Sequence, residues 1–213
     1  MVRVVIFTGG SLGDWALRRV RPGDVLVGAD RGALFLVRAG YTPDLAIGDF
    51  DSVNAEEREQ IRRTSKTFVA CDPVAKDRTD TEMAFDWALE RRPERIVVLG
   101  ALGTRFDHSL ANVHLLRKGL AHGVDCAVAD RHNEIRLVAP SRPAVLEKGE
   151  YTHVSLLPLS LDVHGVTLAG FQYPLDDAEL TVGQSLGVSN VLLEPEGRVS
   201  VREGLLLVIQ SRE

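Results

Sequence analysis

VVLGALGTRFDHSLANVHLL, residues 97–116, decides the fold. An apolar, β-branched run reaches Gly100, the chain turns through Leu102, Gly103 and Thr104, and apolar residues then recur at helical spacing as far as Leu116. A buried strand that turns through glycine into a helix is the repeating unit of a parallel α/β sheet. The same texture recurs on both sides. Residues 2–7, 25–29, 66–70, 95–100 and 124–129 read as buried strands, and 12–20, 33–39, 55–64, 81–90 and 107–122 as the helices among them. Asn54 with Glu57, and Thr79 with Glu82, have the spacing of helix caps.

From Glu134 the texture changes to short strand-like runs: EIRLVAP, THVSLLPLS, VHGVTLAGF, NVLLEPEGRVSV and LLLVIQ. Prolines punctuate them, and EPEGR reads as a hairpin turn. The expectation is an α/β domain over residues 1–130, with a Rossmann-like, mostly parallel sheet and flanking helices, followed by an all-β sandwich over 131–213.

The chain has 213 residues, 45% apolar and 26% charged, the balance of a globular protein with a sizeable core. A formal net charge of -5 argues against a nucleic-acid or anionic-membrane surface, so an anionic ligand must be met by local Arg, Lys, backbone N–H groups or a metal. Cys71 and Cys126 sit in no CxxC or Cys/His cluster, which argues against structural zinc and a disulfide framework. The opening MVRVVIFTGG is too short for a signal segment, and no window has the length of a membrane span. A cytoplasmic protein is expected.

LAIGDFDSV, residues 45–53, brings a short strand to Asp49 and Asp51, whose carboxylates share one side of an extended segment and could share a hard cation, with Phe50 turned into the core. Helix capping is the plain alternative. Lys76, Asp77, Arg78 and Asp80 then crowd five positions at a helix start, where the macrodipole also favours acids. Around Gly103 and Thr104, glycines let a backbone approach phosphate, and Arg105 can fork onto its oxygens, with Asp107 and His108 opening the helix. Neither GxxxxGK[ST] nor GxGxxG is present. Asp30 closes a strand before Arg31 and Gly32. Asp30, Asp49, Asp51, Asp77, Asp80 and Arg105 thus fall at one predicted sheet edge, the arrangement that metal-bridged transfer from a nucleotide requires. Magnesium is the natural ion, and the acids exceed one ion's needs.

In order and spacing, ADRGAL (29–34), PDLAIGDFDSV (43–53), KDRTDTEMA (76–84), GALGTRFDHSLANVHLL (100–116), GFQYPL (170–175) and GVSN (187–190) resemble the bacterial thiamine pyrophosphokinases. The resemblance implies transfer of pyrophosphate from ATP to thiamine. It implies magnesium at Asp49, Asp51 and Asp77, and catalytic roles for these with Asp80 and Arg105. It places Asp30, Arg31, Gly103, Thr104, Arg105, Asp107 and His108 on the ATP side, and Ser189 and Asn190 on thiamine at a homodimer interface. Two rivals stand beside it: a magnesium-dependent phosphohydrolase using the same carboxylates with water as acceptor and no role for Ser189 and Asn190, and a non-catalytic thiamine or nucleotide sensor, against which the intact acidic set argues.

Overall fold

The computed structural model describes residues 2–72 and 77–213. The chain divides into two compact units, Met1–Arg131 and His132–Glu213. In the first unit the elements run β1 (Arg3–Phe7), α1 (Asp14–Leu17), β2 (Val25–Ala29), α2 (Arg31–Arg38), β3 (Leu45–Gly48), α3 (Ala55–Thr64), β4 (Phe68–Ala70), α4 (Asp80–Glu90), β5 (Arg95–Leu99), α5 (Phe106–Ala121) and β6 (Asp125–Ala129). The strands lie in the order β4-β3-β2-β1-β5-β6 and pair in parallel. Parallel strands are covered on both faces, so they read as unbroken apolar runs; Val4, Val5, Ile6 and Phe7 of β1 are all fully buried. The order reverses between β1 and β5, and open α/β sheets bind ligands at the carboxyl ends of strands flanking such a reversal.

Both cap expectations hold. Asn54 and Glu57 form a reciprocal capping box, and the Thr79 hydroxyl accepts the Glu82 N–H. The helix expected over 12–20 shortens to Asp14–Leu17. Its N-cap is Gly13, which has no side chain to hold the first turn.

The second unit carries β7 (Asn133–Val138), β8 (Ala144–Glu147), β9 (His153–Pro158), β10 (Asp162–Ala169), β11 (Leu175–Thr181), β12 (Glu196–Ser200) and β13 (Leu206–Ser211). β7, β13 and β9 are antiparallel neighbours, and β11-β10-β12-β8 form a four-stranded antiparallel sheet. Val138, Val154, Leu156 and Val208 from the first set share one core with Leu146, Val166, Leu168 and Val199 from the second, the packing of a sandwich. EPEGR is not a hairpin turn. β12 pairs with β10 and β8, while Leu192 bridges to Phe171, so the residues on either side of this turn pair with different neighbours. Among the described residues, no helix is long and apolar enough to cross a membrane.

Candidate active site

The first unit gathers its charge at the carboxyl ends of its strands. After β3 the chain does not stay extended, as the alternation of Asp49 and Asp51 suggests. Phe50 adopts φ 57, with its ring buried and stacked 4.7 Å from that of Phe68. Anchoring this ring folds the segment into a turn, in which the Asp51 N–H donates to Asp49 Oδ1 at 3.2 Å. The two carboxylates converge through the turn rather than through strand periodicity.

A second tight turn follows β2. Asp30 takes φ 50 and ψ -119 between strand and helix, and the neighbouring glycines permit it. A Cβ on Gly28 would lie 2.3 Å from Ala33 Cα, and one on Gly32 2.0 Å from the Phe7 carbonyl oxygen. Asp30 stands at the N-cap of α2 but its side chain does not cap. Its Oδ2 instead accepts the Ser52 hydroxyl at 2.5 Å, and its Oδ1 is buried without a hydrogen bond of normal geometry. Burial raises the Asp30 pKa; the Ser52 hydroxyl and the Arg31 N–H oppose the rise, and the charges of Asp80 and Asp51 add to it.

One carboxylate oxygen each from Asp30, Asp49 and Asp51 lies within 4.8 Å of the others. Three converging carboxylates repel one another unless a cation or proton intervenes, and an oxygen-only donor set with one orphaned buried oxygen suits a hard divalent ion. Asp80 stands in the first turn of α4, and its charge reaches Asp30. Asp77 is exposed just before α4 and is not one of the converging three. Lys76, grouped with it in the sequence, lies outside the described residues.

Beside this cluster, the turns after β1 and β5 are fused. The Thr8 N–H and hydroxyl both donate to the Leu99 carbonyl, at 3.0 and 3.2 Å, and the Gly10 N–H donates to the Gly100 carbonyl at 3.0 Å. A Cβ on Gly10 would lie 2.1 Å from that oxygen, so only glycine allows the approach. From beneath, α5 fixes the same turn. Ser109 Oγ accepts the Gly103 N–H at 3.0 Å, and Asn112 Nδ2 donates to the Ala101 carbonyl at 2.8 Å. Sequence reasoning assigned no role to Ser109 or Asn112. Their signal was an i, i+3 polar pair on an otherwise apolar helix face next to a glycine turn.

The fused turns line a cavity of about 470 Å³ together with Arg31, Phe35, Arg38 and Thr104. Arg105, at the N-cap of α5, is exposed and paired with Asp107 at 2.6 Å; that hydrogen bond raises the Arg105 pKa and lowers the Asp107 pKa. His108 is exposed one position further along.

In the second unit Ser189 is exposed at φ 62, with its N–H on Ser155 Oγ at 3.1 Å. Asn190 is buried, and its side chain is engaged with the backbone of Tyr173.

The comparisons with known proteins agree with this architecture. Residues 19–128 match the family model described as thiamin pyrophosphokinase, catalytic domain, and residues 144–206 the one described as thiamin pyrophosphokinase, vitamin B1 binding domain. The thiamine pyrophosphokinase of Bacillus subtilis is 36% identical over 187 residues, spanning 88% of this chain and 87% of its own. A crystal structure of the Bacillus subtilis enzyme superposes with a TM-score of 0.91 at 33% identity, covering 100% of both chains. The thiamin pyrophosphokinase of Geobacillus thermodenitrificans gives 0.87 at 34% identity, covering 100% of this chain and 98% of its own. This chain belongs to the thiamin pyrophosphokinase family.

Proposed function

We propose that the chain transfers the terminal pyrophosphate of ATP to the hydroxyl of thiamine, yielding thiamine diphosphate and AMP. The observation that carries this reading is the convergence of the Asp30, Asp49 and Asp51 carboxylates within 4.8 Å, in a chain of this family. ATP takes the neighbouring cavity, lined by Arg31, Gly103 and Thr104 among others, with Arg105, Asp107 and His108 at the start of α5 that follows Thr104 in the chain. Asp49 and Asp51, joined by Asp30, hold magnesium, with Asp77 available on the segment leading to α4. When bound, magnesium neutralises phosphate oxygens and lines them up for displacement.

The thiamine hydroxyl oxygen bonds to the β-phosphorus as that atom's bond to the α–β bridging oxygen breaks, and AMP departs with that oxygen. The hydroxyl proton passes to a carboxylate. Asp80, in the first turn of α4, and Asp77, just before that helix, are the two candidates for it. Arg105 swings from Asp107 onto the phosphates, where its fork stabilises spreading negative charge. The second unit supplies Ser189 and Asn190 to the thiamine side, and the chain works as a cytoplasmic homodimer.

The test is AMP release from ATP and magnesium, with and without thiamine. Release that requires thiamine supports transfer; equal release without it points to hydrolysis. Asp51→Ala is expected to lose turnover by roughly a hundredfold or more with the fold intact, in line with loss of a group that stabilises transition-state charge. Near-normal turnover in that variant would remove the metal assignment.

A further inference from the structure

β4 gains little from its own burial. It has three residues at the edge of the sheet, and two of them, Val69 and Ala70, are exposed. It is nonetheless held at both ends. The Ala46 N–H donates to the Thr67 carbonyl at 2.9 Å, and the Cys71 N–H donates to the Gly48 carbonyl at 2.9 Å. What the strand delivers is one half-buried ring, that of Phe68, which lies on the Phe50 ring with an interplanar angle of 16° and centroids 4.7 Å apart.

That contact constrains the chain after β3. Phe68 is registered with Ala46, four residues before Phe50. An extended chain would carry Phe50 about 13 Å past that level. The two rings meet only because the chain bends back toward β4 at Gly48, which takes φ 152, and closes a turn in which the Val53 N–H donates to the Phe50 carbonyl at 3.4 Å. Phe50 pays for this bend with φ 57, an outlier for a bulky side chain, and such a conformation persists only where the surroundings over-determine it. Ala33, Leu34, Ala46 and Ile61 pack in the same core, and Phe68 adds the flat partner that fixes the plane of the ring. Asp49 and Asp51 flank Phe50, so the position of that ring sets the direction in which both carboxylates leave the turn.

We propose that Phe68 is a positioning residue for the metal ligands: by stacking on Phe50 it locks the left-handed turn that brings Asp49 and Asp51 to Asp30, and β4 is the mount for its ring. This deepens the metal reading given above and rests on it. Phe68 touches neither substrate nor metal in this role and acts through Phe50.

Phe68 lies at the sheet edge, so the folded core survives its replacement. In the full chain, Phe68→Leu keeps an apolar side chain but removes the flat face, and is expected to weaken Mn²⁺ binding, read by EPR, by about tenfold, as for other groups that orient a ligand. Phe68→Tyr keeps the stack and stays within about threefold of the parent. Ile61→Val trims the same core with both rings in place, so it lowers stability in urea while Mn²⁺ affinity stays at the parent value. Because every ligand remains in Phe68→Leu, its turnover with ATP and thiamine recovers as magnesium is raised. Unchanged Mn²⁺ affinity in Phe68→Leu would overturn the proposal, as would equal weakening in Ile61→Val, which would mean general loosening of the core. If the parent itself takes up no Mn²⁺, the metal reading fails and this proposal with it, so binding to the parent tells the two failures apart.

Discussion

The Ser52 hydroxyl donates a 2.5 Å hydrogen bond to Asp30 Oδ2, joining the turn after β3 to the turn after β2. Asp30 approaches Asp49 and Asp51 across that joint, and the bond holds its carboxylate in place while Oδ1 has no hydrogen bond of normal geometry. Removing the hydroxyl by Ser52→Ala leaves the ligands present and poorly aimed. The expected result is about tenfold weaker metal binding, the usual cost of losing a group that orients a ligand, with stability changed by no more than about 1 kcal/mol. Titration of the purified variant with Mn²⁺, followed by EPR, reads the affinity directly; unchanged binding would show that Asp30 needs no such support.

Asp30 is strained as well as crowded. A non-glycine residue at φ 50 carries a conformational cost of order 1–3 kcal/mol, and a half-buried carboxylate near two acids adds to it. Asp30→Gly is therefore expected to be at least as stable as the parent by chemical denaturation, while turnover falls by roughly a hundredfold or more. A clear loss of stability would mean that the acid helps to hold the fold.

The sign of the pH effect follows from the same residue. Its native pKa lies above the ordinary 3.8, so the folded state holds the proton more tightly and the charge disfavours folding. The penalty is absent below the ordinary value, grows as pH rises through the native one, and is complete above it. Asp30→Asn removes it, so variant and parent are expected to diverge in stability on going from pH 3 to neutrality, the parent falling relative to the variant. Parallel curves would contradict this.

Ser109→Ala tests the platform that α5 builds under the glycine turn. The lost bond frees the Gly103 N–H and lets the turn proposed to face the ATP phosphates reorient. KM for ATP is expected to rise about fivefold to tenfold, matching loss of one well-placed hydrogen bond, with KM for thiamine unchanged. A rise confined to thiamine would misplace the nucleotide.

Lys118 probes stability away from the site. Burial pulls its pKa down, but hydrogen bonds to Asp86 and Glu82 outweigh that and leave it raised. The ammonium lies 2.6 Å from Asp86 and 2.9 Å from Glu82, tying α5 to α4, with its side chain 36% exposed. Solvent screening holds the expected cost of Lys118→Met to about 1 kcal/mol. Because the folded pKa is raised, this contribution is present at neutral pH and lost only as pH climbs past the lysine range. Urea denaturation at pH 7 and 11 reads both statements, and a cost unchanged at pH 11 would contradict the second.

Much of the fold was legible because it rests on local rules. Buried parallel strands such as Val25–Ala29 announce themselves as continuous apolar runs, and Asn54 with Glu57 announces a helix start. β8 and β11 were missed for the opposite reason. AVLE is short, and LDDAELT is mostly polar and exposed, taking its place from partners distant in sequence. The site shows the same divide. Asp30, Asp49 and Asp51 were visible as acids closing strands, but their convergence depends on left-handed turns at Asp30 and Phe50 that no side-chain periodicity encodes. Asn190 was visible only through resemblance, and its hold on Tyr173 joins residues 17 apart.

ATP labelled with ³²P at the β-phosphorus, mixed with enzyme, magnesium and thiamine in a single turnover, tests the central claim most directly. Pyrophosphate transfer predicts that all of the label reaches thiamine diphosphate while unlabelled AMP is released. Label left in ADP, or released as free pyrophosphate with thiamine unchanged, would contradict it.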